Sequence, residues 1–373
     1  MVTEEFFENI QQQFYNNLPF VVYRKPNEVL VKAMLQLSDK IHEVKNYSEK
    51  GFVFAPFDAV NNAILIPFDN ASTIESHYEV SSESENSQII SEASEVEKNH
   101  HKNLVRKGID AIESKDFKKV VLSRKETVKL SEINPIKIFQ NLIQNYPTAF
   151  VSCWYHPKVG LWLGATPETL IKTEGSRFKT MALAGTQKYN ETVDVSWNNK
   201  EKEEQQFVTD FISSSLESSV NTIKISDVET VKAGSLLHLK TTITGTFNFQ
   251  VSSLKQVIEA LHPTPAVCGM PKENAKQFIL NNENYNREFY TGFLGELNLQ
   301  EKITRNSNRR NVENNAYASV KKISNLYVNL RCMQLVEKTA HIYVGGGITK
   351  DSNPEAEWQE TVAKTEVMKK VLQ

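Results

Sequence analysis

The chain has 373 residues, of which 40% are hydrophobic and 24% are charged, and its 43 lysines and arginines against 45 aspartates and glutamates give a formal net charge of -2. This composition is that of an ordinary globular protein with room for a large core, and the balanced charge argues against a nucleic-acid-binding protein. The three cysteines, Cys153, Cys268 and Cys332, are far apart, which excludes a CxxC motif and favours a reducing compartment. Because the first residues lack a secretory signal and no window approaches the roughly 18 apolar residues of a membrane span, we expect a cytoplasmic protein without membrane contact.

The first hundred residues carry no recognisable chemistry. Residues 20–25 and 63–68 are short apolar runs typical of strands. Residues 70–100 are rich in serine and glutamate, which predicts a solvated surface loop. A helix is predicted next, ending near Ser114.

Residues 116–130 are rich in β-branched side chains and lack glycine and proline, so they predict a long strand that begins near Phe117. Lys118 and Lys119 are neighbours on this strand. Since successive side chains of a strand point to opposite faces, at most one of the two can face a site. The ordinary alternative for either is a surface lysine.

Two later strands end in residues that could serve a ligand. Residues 160–170 predict a strand that ends in a turn, with Glu168 just beyond it. A carboxylate in this place suits catalysis and is equally normal in a turn. Residues 178–187 predict a strand that ends in the small residues Ala184, Gly185 and Thr186, which suit close packing against a ligand or another backbone.

Two predicted helices place acidic residues on apolar faces, namely residues 198–219 and residues 353–372. Ordinary explanations exist for both, because acids in a first turn favour the helix dipole and the last helix could be solvated. Burial of unpaired ions, however, costs about several kcal/mol each. We therefore predict a hard divalent cation between the helices, Mg²⁺ before Mn²⁺, and no zinc, since no Cys or His cluster is present. The acidic residues are Glu201, Glu204, Glu357 and Glu360, and Lys364 on the last helix would hold an anionic ligand.

Three segments between these helices add candidate residues. His262 lies in a proline-rich loop, where it is an ordinary loop histidine by default. Residues 287–297 and 325–335 predict buried strands, and Arg331 within the second needs an anion such as a carboxylate. An apolar strand over residues 341–348 runs into three glycines, at which a backbone can approach a ligand closely.

Nine blocks in this chain resemble, in order, the chorismate-utilising enzymes. This family comprises isochorismate synthases, salicylate synthases and the chorismate-binding components of anthranilate and aminodeoxychorismate synthases. The match runs from about Lys102 to the C-terminus, and nine ordered blocks are specific although each alone is weak. The blocks are KVVLSR, GATPETL, ALAGT, EKEEQ-FV, LHPTPAV-G, YTGFLGEL, LYVNLR, YVGGGI and EWQETVAK.

The resemblance implies an α/β (α+β) fold, with one large domain of two stacked, mainly antiparallel β-sheets wrapped by helices. Residues 1–100 would be the N-terminal part of this domain, with the Ser/Glu-rich loop near residues 70–100. Residues 101–373 would be the chorismate-binding catalytic region.

The resemblance also implies a reaction and its residues. Isochorismate synthases add water at C2 of chorismate and expel the C4 hydroxyl. Lys119 would be the general base on water and Glu168 the acid that protonates the leaving hydroxyl. Mg²⁺ would bind the ring carboxylate of chorismate, with Glu204 and Glu360 as nearest ligands and Glu201 and Glu357 acting directly or through water. The substrate-binding residues would be Thr186, His262, Arg331, Tyr343, Gly345, Gly346, Gly347 and Lys364.

The nucleophile distinguishes members of the family. Anthranilate synthases have an amide side chain at the position of Lys119, and aminodeoxychorismate synthases commonly have a lysine where this chain has Ala184. Both comparisons indicate that the nucleophile in this protein is water. Two positions depart from the common pattern of the family. Gln205 replaces a frequent histidine. Cys268 replaces a frequent glycine, and this second change would reshape the pocket.

Several alternatives stay open at this point. Ala266 and Val267 resemble the isochorismate-releasing members, but a salicylate synthase shares the same base and acid and goes on to eliminate pyruvate. A non-catalytic homologue that binds chorismate or metal is a second alternative. The pathway, menaquinone or siderophore biosynthesis, is undetermined, and the resemblance suggests a monomer.

Overall fold

The computed structural model describes residues 1–78, 94–233, 236–303 and 319–372. Within these ranges the chain forms seven α-helices and nineteen β-strands. The helices are α1 (Thr3–Tyr15), α2 (Glu95–Glu113), α3 (Pro135–Asn145), α4 (Asn199–Leu216), α5 (Leu254–Leu261), α6 (Lys272–Asn282) and α7 (Pro354–Lys369). The strands are β1 (Phe20–Arg24), β2 (Leu30–Gln36), β3 (His42–Glu43), β4 (Gly51–Ala55), β5 (Ile64–Pro67), β6 (Ala71–His77), β7 (Lys119–Lys129), β8 (Phe150–His156), β9 (Gly160–Thr166), β10 (Thr169–Glu174), β11 (Arg177–Lys188), β12 (Val220–Ile225), β13 (Glu229–Ala233), β14 (Leu236–Phe247), β15 (Gly269–Met270), β16 (Phe293–Ile303), β17 (Ser319–Val328), β18 (Cys332–Val336) and β19 (Thr339–Ile348).

The strands form two antiparallel sheets. The order in the nine-stranded sheet is β15-β7-β19-β18-β9-β8-β1-β2-β6, and that in the ten-stranded sheet is β12-β14-β11-β10-β17-β16-β4-β5-β3, with β13 paired to β14. Strands from the first 78 residues contribute to both sheets. The predicted fold class, two stacked antiparallel sheets with helices around them, is confirmed.

Of the four hydrophobic cores among the described residues, three separate the four layers of the fold. An aromatic core between the two sheets includes Phe54, Trp154 and Tyr327. A second core, with Phe139 and Met368 among its members, packs α1, α3 and α7 on the nine-stranded sheet. A third packs α4 and α5 on the ten-stranded sheet. In the described part of the chain, no helix is both long and apolar enough to cross a bilayer.

Most of the predicted elements in the second half of the chain are present, and the differences concern their ends. The prediction of a loop over residues 70–100 is wrong at both ends, because β6 occupies residues 71–77 and α2 begins at Glu95. Ser94 accounts for that start, since its hydroxyl accepts a hydrogen bond from the Glu97 amide in a capping box. Residues 79–93 of the predicted loop lie outside the described ranges.

The prediction of one strand over residues 325–335 is also wrong. β17 ends at Val328 in the ten-stranded sheet and β18 begins at Cys332 in the nine-stranded sheet. Arg331 lies between them with a positive φ of 45°, which interrupts strand geometry. An apolar run is buried in either sheet, so hydrophobicity alone does not reveal where the chain changes sheets. Similarly, the strand predicted over residues 287–297 begins only at Phe293.

The two crossovers between sheets lie side by side. β9 ends in the nine-stranded sheet at Thr166, and β10 begins in the ten-stranded sheet at Thr169. Glu168 lies in this connection, and its carbonyl accepts a hydrogen bond of 3.0 Å from the Val328 amide at the start of the other crossover. The fold therefore brings Glu168 and Arg331 to one place.

Candidate active site

A cavity lies at the paired crossovers, where the edges of the sheets meet α4 and α7. Nine of the residues predicted from sequence line it, and they come from six separate parts of the chain. These residues are Glu168, Thr186, Glu204, Arg331, Gly345, Gly346, Gly347, Glu360 and Lys364. Segments more than 190 residues apart in sequence thus form one surface.

Glu168 is held in the crossover by its own backbone. Its amide donates a hydrogen bond of 3.3 Å to the Thr166 hydroxyl, and only 3% of the residue is exposed. Burial raises the pKa of its carboxyl group to about 8, although Lys119 and Arg331 act in the opposite direction. Glu168 therefore carries a proton at neutral pH and can act as a general acid.

Lys119 is fully buried at the start of β7, whereas Lys118 is exposed. Strand alternation places Lys119 on the same face as Val121, which lines the cavity. The Lys119 Nζ atom lies 2.8 Å from Oε1 of Glu204 on α4, as an ion pair without the angle of a hydrogen bond. The ammonium thus reaches the cavity wall beside Glu204, with hydrogen-bonding capacity left for another group.

Gly347 leaves room for this ion pair. A Cβ atom at this position would lie 2.5 Å from Glu204 Oε1 and 3.0 Å from Lys119 Cε. We expect Gly347→Ala to fold, because its side-chain neighbours can shift, but to lower turnover roughly 10²-fold through displacement of the pair. Chorismate turnover together with circular dichroism tests this. Gly175→Asn, in a turn with a φ of 58° that asparagine tolerates and with nothing within 4 Å, should retain turnover, and an equally active Gly347→Ala would contradict the placement.

α7 carries the second group of charged residues. Asn353 caps the helix, since its Oδ1 accepts from the amides of Glu355 and Ala356. The Lys364 ammonium lies 2.6 Å from Glu360 Oε1 and donates to the Gly345 carbonyl at 2.8 Å. Burial raises the pKa of Glu360, but Lys364 more than offsets this, so the pKa is lowered overall and the carboxylate is ionised.

The four predicted metal ligands are suited to a divalent cation, although they are not gathered around a common point. In the described ranges no three or more His, Cys, Asp and Glu side chains converge as a metal site. Two buried carboxylate oxygens, Glu201 Oε2 and Glu357 Oε2, nevertheless have no hydrogen-bond partner. A Cβ on Gly346 would lie 3.2 Å from Glu357 Oε2 and 3.8 Å from Glu360 Oε1. Hard oxygen ligands beside a bare backbone fit Mg²⁺.

Arg331 faces the cavity with an open guanidinium group. Among the described residues, none forms a hydrogen bond or ion pair with it. Burial lowers its pKa, with Tyr290, Glu360 and Glu168 acting in the opposite direction. A planar cation without a partner in a cavity suits a carboxylate ligand.

Two cavity residues were missed by the sequence analysis, His238 on β14 and Tyr290 before β16. The Nδ1 atom of His238 lies 2.7 Å from the Gly185 carbonyl, which can only accept, so Nδ1 carries the proton. Burial and Arg331 lower the pKa of His238 to about 3. Its buried Nε2 has no partner and can accept a hydrogen bond from a ligand. The apolar strand around His238 gave no signal of this role.

Other predicted residues lie away from the cavity. The hydroxyl of Tyr343 donates to Gln334 at 3.2 Å, and its ring stacks on Tyr290, which takes the cavity position instead. The Nε2 atom of His262 lies 3.3 Å from the Pro56 carbonyl, and this residue lines a different pocket between α5 and the loop after β4. Glu201 and Glu357 lie behind the lining residues.

The two departures from the common pattern do not touch the cavity. Gln205 is buried and donates to the hydroxyls of Thr209 and Thr241 at 3.0 and 2.6 Å. Cys268 belongs to a separate core beneath α2 and α6. The expectation that Cys268 reshapes the pocket is therefore wrong.

Comparison with known proteins gives three related results. Sequence models of the chorismate binding enzyme family match residues 53–303, more than half of the chain, and residues 316–370. The chain is 27% identical over 291 residues to isochorismate synthase DhbC of Bacillus subtilis, and 28% identical over 267 residues to isochorismate synthase EntC of Escherichia coli. These alignments cover 73% and 68% of the chain, but 67% and 62% of the relatives.

Isochorismate synthase MenF of Bacillus subtilis is 29% identical over 296 residues, which are 76% of the chain and 58% of that relative. The matched part therefore spans about three fifths to two thirds of these curated relatives. Among solved structures, DhbC from Bacillus anthracis has a TM-score of 0.78 at 22% identity, covering 100% of this chain and 99% of that chain. MenF from Escherichia coli has a TM-score of 0.75 at 19% identity, with coverages of 95% and 89%. The chain belongs to the chorismate binding enzyme family.

Proposed function

We propose that the protein is an isochorismate synthase that converts chorismate to isochorismate by adding water at C2 and releasing the C4 hydroxyl. The observation that carries this proposal is the placement of a protonated Glu168 in the cavity wall, with the fully buried Lys119 behind the wall and paired to the lining residue Glu204. An acid and a base are the two groups that this displacement requires. The sequence relatives named as isochorismate synthases support it.

The reaction can be written with these two residues. The Lys119 ammonium group first loses a proton to solvent, and the amine then takes a proton from a water molecule as the water oxygen bonds to C2. The ring double bonds shift, the C4–O bond breaks, and Glu168 gives its proton to the leaving hydroxyl. Water leaves from C4 as water enters at C2, so the product is an isomer of the substrate.

The nature of the nucleophile follows from what the cavity wall lacks. Ala184 lines the cavity. Aminodeoxychorismate synthases commonly have a lysine nucleophile at this position. The methyl group of Ala184 cannot act as a nucleophile, and no lysine of β11 lines the cavity wall. Within the described residues, this leaves water as the nucleophile that the site supports.

The cations of the cavity suit the two carboxylates of chorismate. Arg331 offers a planar fork with no partner among the described residues, and Lys364 offers an ammonium near the Gly345 carbonyl. The unpartnered Nε2 of His238 can accept a hydrogen bond from a substrate hydroxyl or from the entering water. Together these groups would orient the ring between base and acid.

We assign Mg²⁺ to Glu204 and Glu360, with Glu201 and Glu357 behind them. A bound cation would neutralise the ring carboxylate of the substrate and polarise the ring for displacement. The support for this assignment is the unpartnered oxygen on each of Glu201 and Glu357, together with the bare Gly346 backbone beside Glu357 and Glu360.

The test of function is an incubation of purified protein with chorismate and Mg²⁺ in the absence of ammonia, followed by chromatography with mass detection. We expect a new peak isomeric with chorismate, and the same final mixture from either compound. Salicylate with pyruvate would place the protein among salicylate synthases. Unchanged chorismate would favour a binding protein without turnover.

Metal removal gives a separate prediction. EDTA should stop turnover, and Mg²⁺ in excess should restore it, because the ring carboxylate of chorismate would lose the cation that neutralises it. Circular dichroism should show an unchanged fold, since lysines pair with three of the four glutamates in the metal-free state. Full turnover in metal-free buffer would contradict the assignment of these glutamates.

A further inference from the structure

We propose that Lys200 is an internal counter-cation that occupies the carboxylate cluster in the absence of metal and is displaced by the incoming divalent cation. This inference rests on the metal assignment of the proposed function. It concerns a residue at the first turn of α4 that is neither the general base nor a substrate-binding group.

The contacts of Glu357 show what Lys200 does. The Lys200 Nζ atom lies 2.7 Å from Glu357 Oε1, and the same oxygen accepts a hydrogen bond of 2.7 Å from the Ser352 hydroxyl. Glu357 is only 2% exposed, and its other oxygen, Oε2, has no partner. Half of this buried carboxylate is therefore satisfied by Lys200 and Ser352, and half remains available for a cation.

Lys200 also acts on the rest of the cluster. Its charge interacts favourably with Glu357 first, and also with Glu204 and Glu360. A single ammonium group thus lies within electrostatic reach of three of the four predicted metal ligands. A divalent cation bound among the same carboxylates would lie close to this ammonium and be repelled by it.

Three lysines neutralise the cluster, and they differ in their freedom to leave. Lys119 and Lys364 are buried, with side chains 0% and 8% exposed, and both have roles in the proposed reaction. The Lys200 side chain is 30% exposed and also lines a second cavity that contains Glu203 and Asp351. Of the three, Lys200 can move its charge towards solvent without disturbing the base or the substrate site.

Lys200 therefore has two effects, which replacement of this lysine by an uncharged residue can separate. It holds Glu357 in place and compensates its charge when metal is absent, and it weakens metal binding because its ammonium group repels a cation at the other oxygen of the same carboxylate. Loss of the charge should tighten metal binding at the expense of the metal-free fold. A purely structural ion pair would instead leave metal affinity unchanged or weakened.

The experiment is a titration of metal-free protein with Mn²⁺, followed by electron paramagnetic resonance of the free ion, in the absence of chorismate. We expect Lys200→Met to bind Mn²⁺ at least about tenfold more tightly than the wild type, since a unit charge next to a dication is removed. Lys200→Arg, which keeps the charge, should stay within about threefold. Lys202→Met is the matched control, because Lys202 is an exposed lysine on the same helix turn.

Equal or weaker Mn²⁺ binding by Lys200→Met would overturn the proposal, and so would equal tightening in Lys202→Met, which would indicate a general charge effect. A folded Lys200→Met is required, and circular dichroism verifies it; should this variant not fold, Lys200→Gln replaces it. The titration contains no chorismate, so it tests the role of Lys200 independently of turnover. If Lys200→Met binds Mn²⁺ more tightly while the wild-type protein forms no isochorismate in the separate assay, the proposed function is refuted and this inference stands.

Discussion

Replacing Lys119 with methionine should lower the turnover of chorismate by about 10² to 10⁴-fold, the usual contribution of a general base. The side chain is similar in length, so the fully buried position stays filled and the fold should be retained. Chorismate binding should persist, because Arg331 and Lys364 remain to hold its carboxylates. Steady-state kinetics together with calorimetric titration of chorismate would separate these two effects.

The matched control is Lys118→Met, which changes the neighbouring residue by the same substitution. Lys118 is exposed, and it lines the cavity that contains Lys200 rather than the one that contains Glu168. We expect nearly wild-type turnover from it. An active Lys119→Met with an inactive Lys118→Met would mean that the wrong face of β7 has been assigned to the reaction.

The second large effect is expected from Glu168→Gln. Glutamine preserves the shape of the side chain but has no acidic proton to give to the leaving hydroxyl, so turnover should fall by about 10² to 10⁴-fold. The fold should remain, since an uncharged group already occupies this buried place at neutral pH. Glu217→Gln, the same substitution at an exposed glutamate just after α4, serves as the control. Wild-type turnover by Glu168→Gln would exclude Glu168 as the acid.

The pKa of Glu168 also predicts two pH dependences. Turnover should fall as pH rises through about 8, because the acid loses its proton there. Stability should decline over a different range: between the ordinary value of 4.5 and about 8 the folded protein retains a proton that the unfolded chain releases. Thermal unfolding from pH 5 to 9 should therefore show a decline that is smaller in Glu168→Gln. An identical pH dependence of both proteins would contradict the raised pKa.

Sequence patterns were informative wherever a residue type contradicted its surroundings. Charged residues on the apolar face of the last helix were recognised because burial of unpaired charge is unfavourable, and Glu357 and Lys364 are indeed buried in α7. Strand alternation separated Lys118 from Lys119 in the same way. Such signals are local, so a single sequence suffices to find them.

The assembly of the site was not visible in any local pattern. Glu168 and Arg331 meet because the chain twice changes from one sheet to the other. An apolar strand has the same sequence pattern in either sheet, so the sequence does not reveal these changes. The same limit explains Tyr343 and Tyr290, which stack on each other although only Tyr290 lines the cavity. His238 was missed since its role depends on the Gly185 carbonyl, 53 residues away in sequence.

The lysine partners of the acidic residues were also beyond sequence reasoning. The helices were expected to present carboxylates to a cation, and in the structure lysines form ion pairs with three of the four glutamates. Lys119 lies on β7 and its partner Glu204 on α4, whereas Lys200 lies on α4 and its partner Glu357 on α7. Charge balance in the metal-free protein is thus a property of the packed fold.

In the proposed reaction, water that is activated by Lys119 attacks C2 of chorismate while the C4 hydroxyl leaves. The most direct test is turnover in water enriched with ¹⁸O, with Mg²⁺ and without ammonia, followed by mass spectrometry of the product. We predict isochorismate with one ¹⁸O atom in its C2 hydroxyl, and a rate of incorporation about 10² to 10⁴-fold lower in Lys119→Met. Unlabelled isochorismate would show that the hydroxyl migrates within the substrate, and the assignment of Lys119 as the base on water would then be wrong.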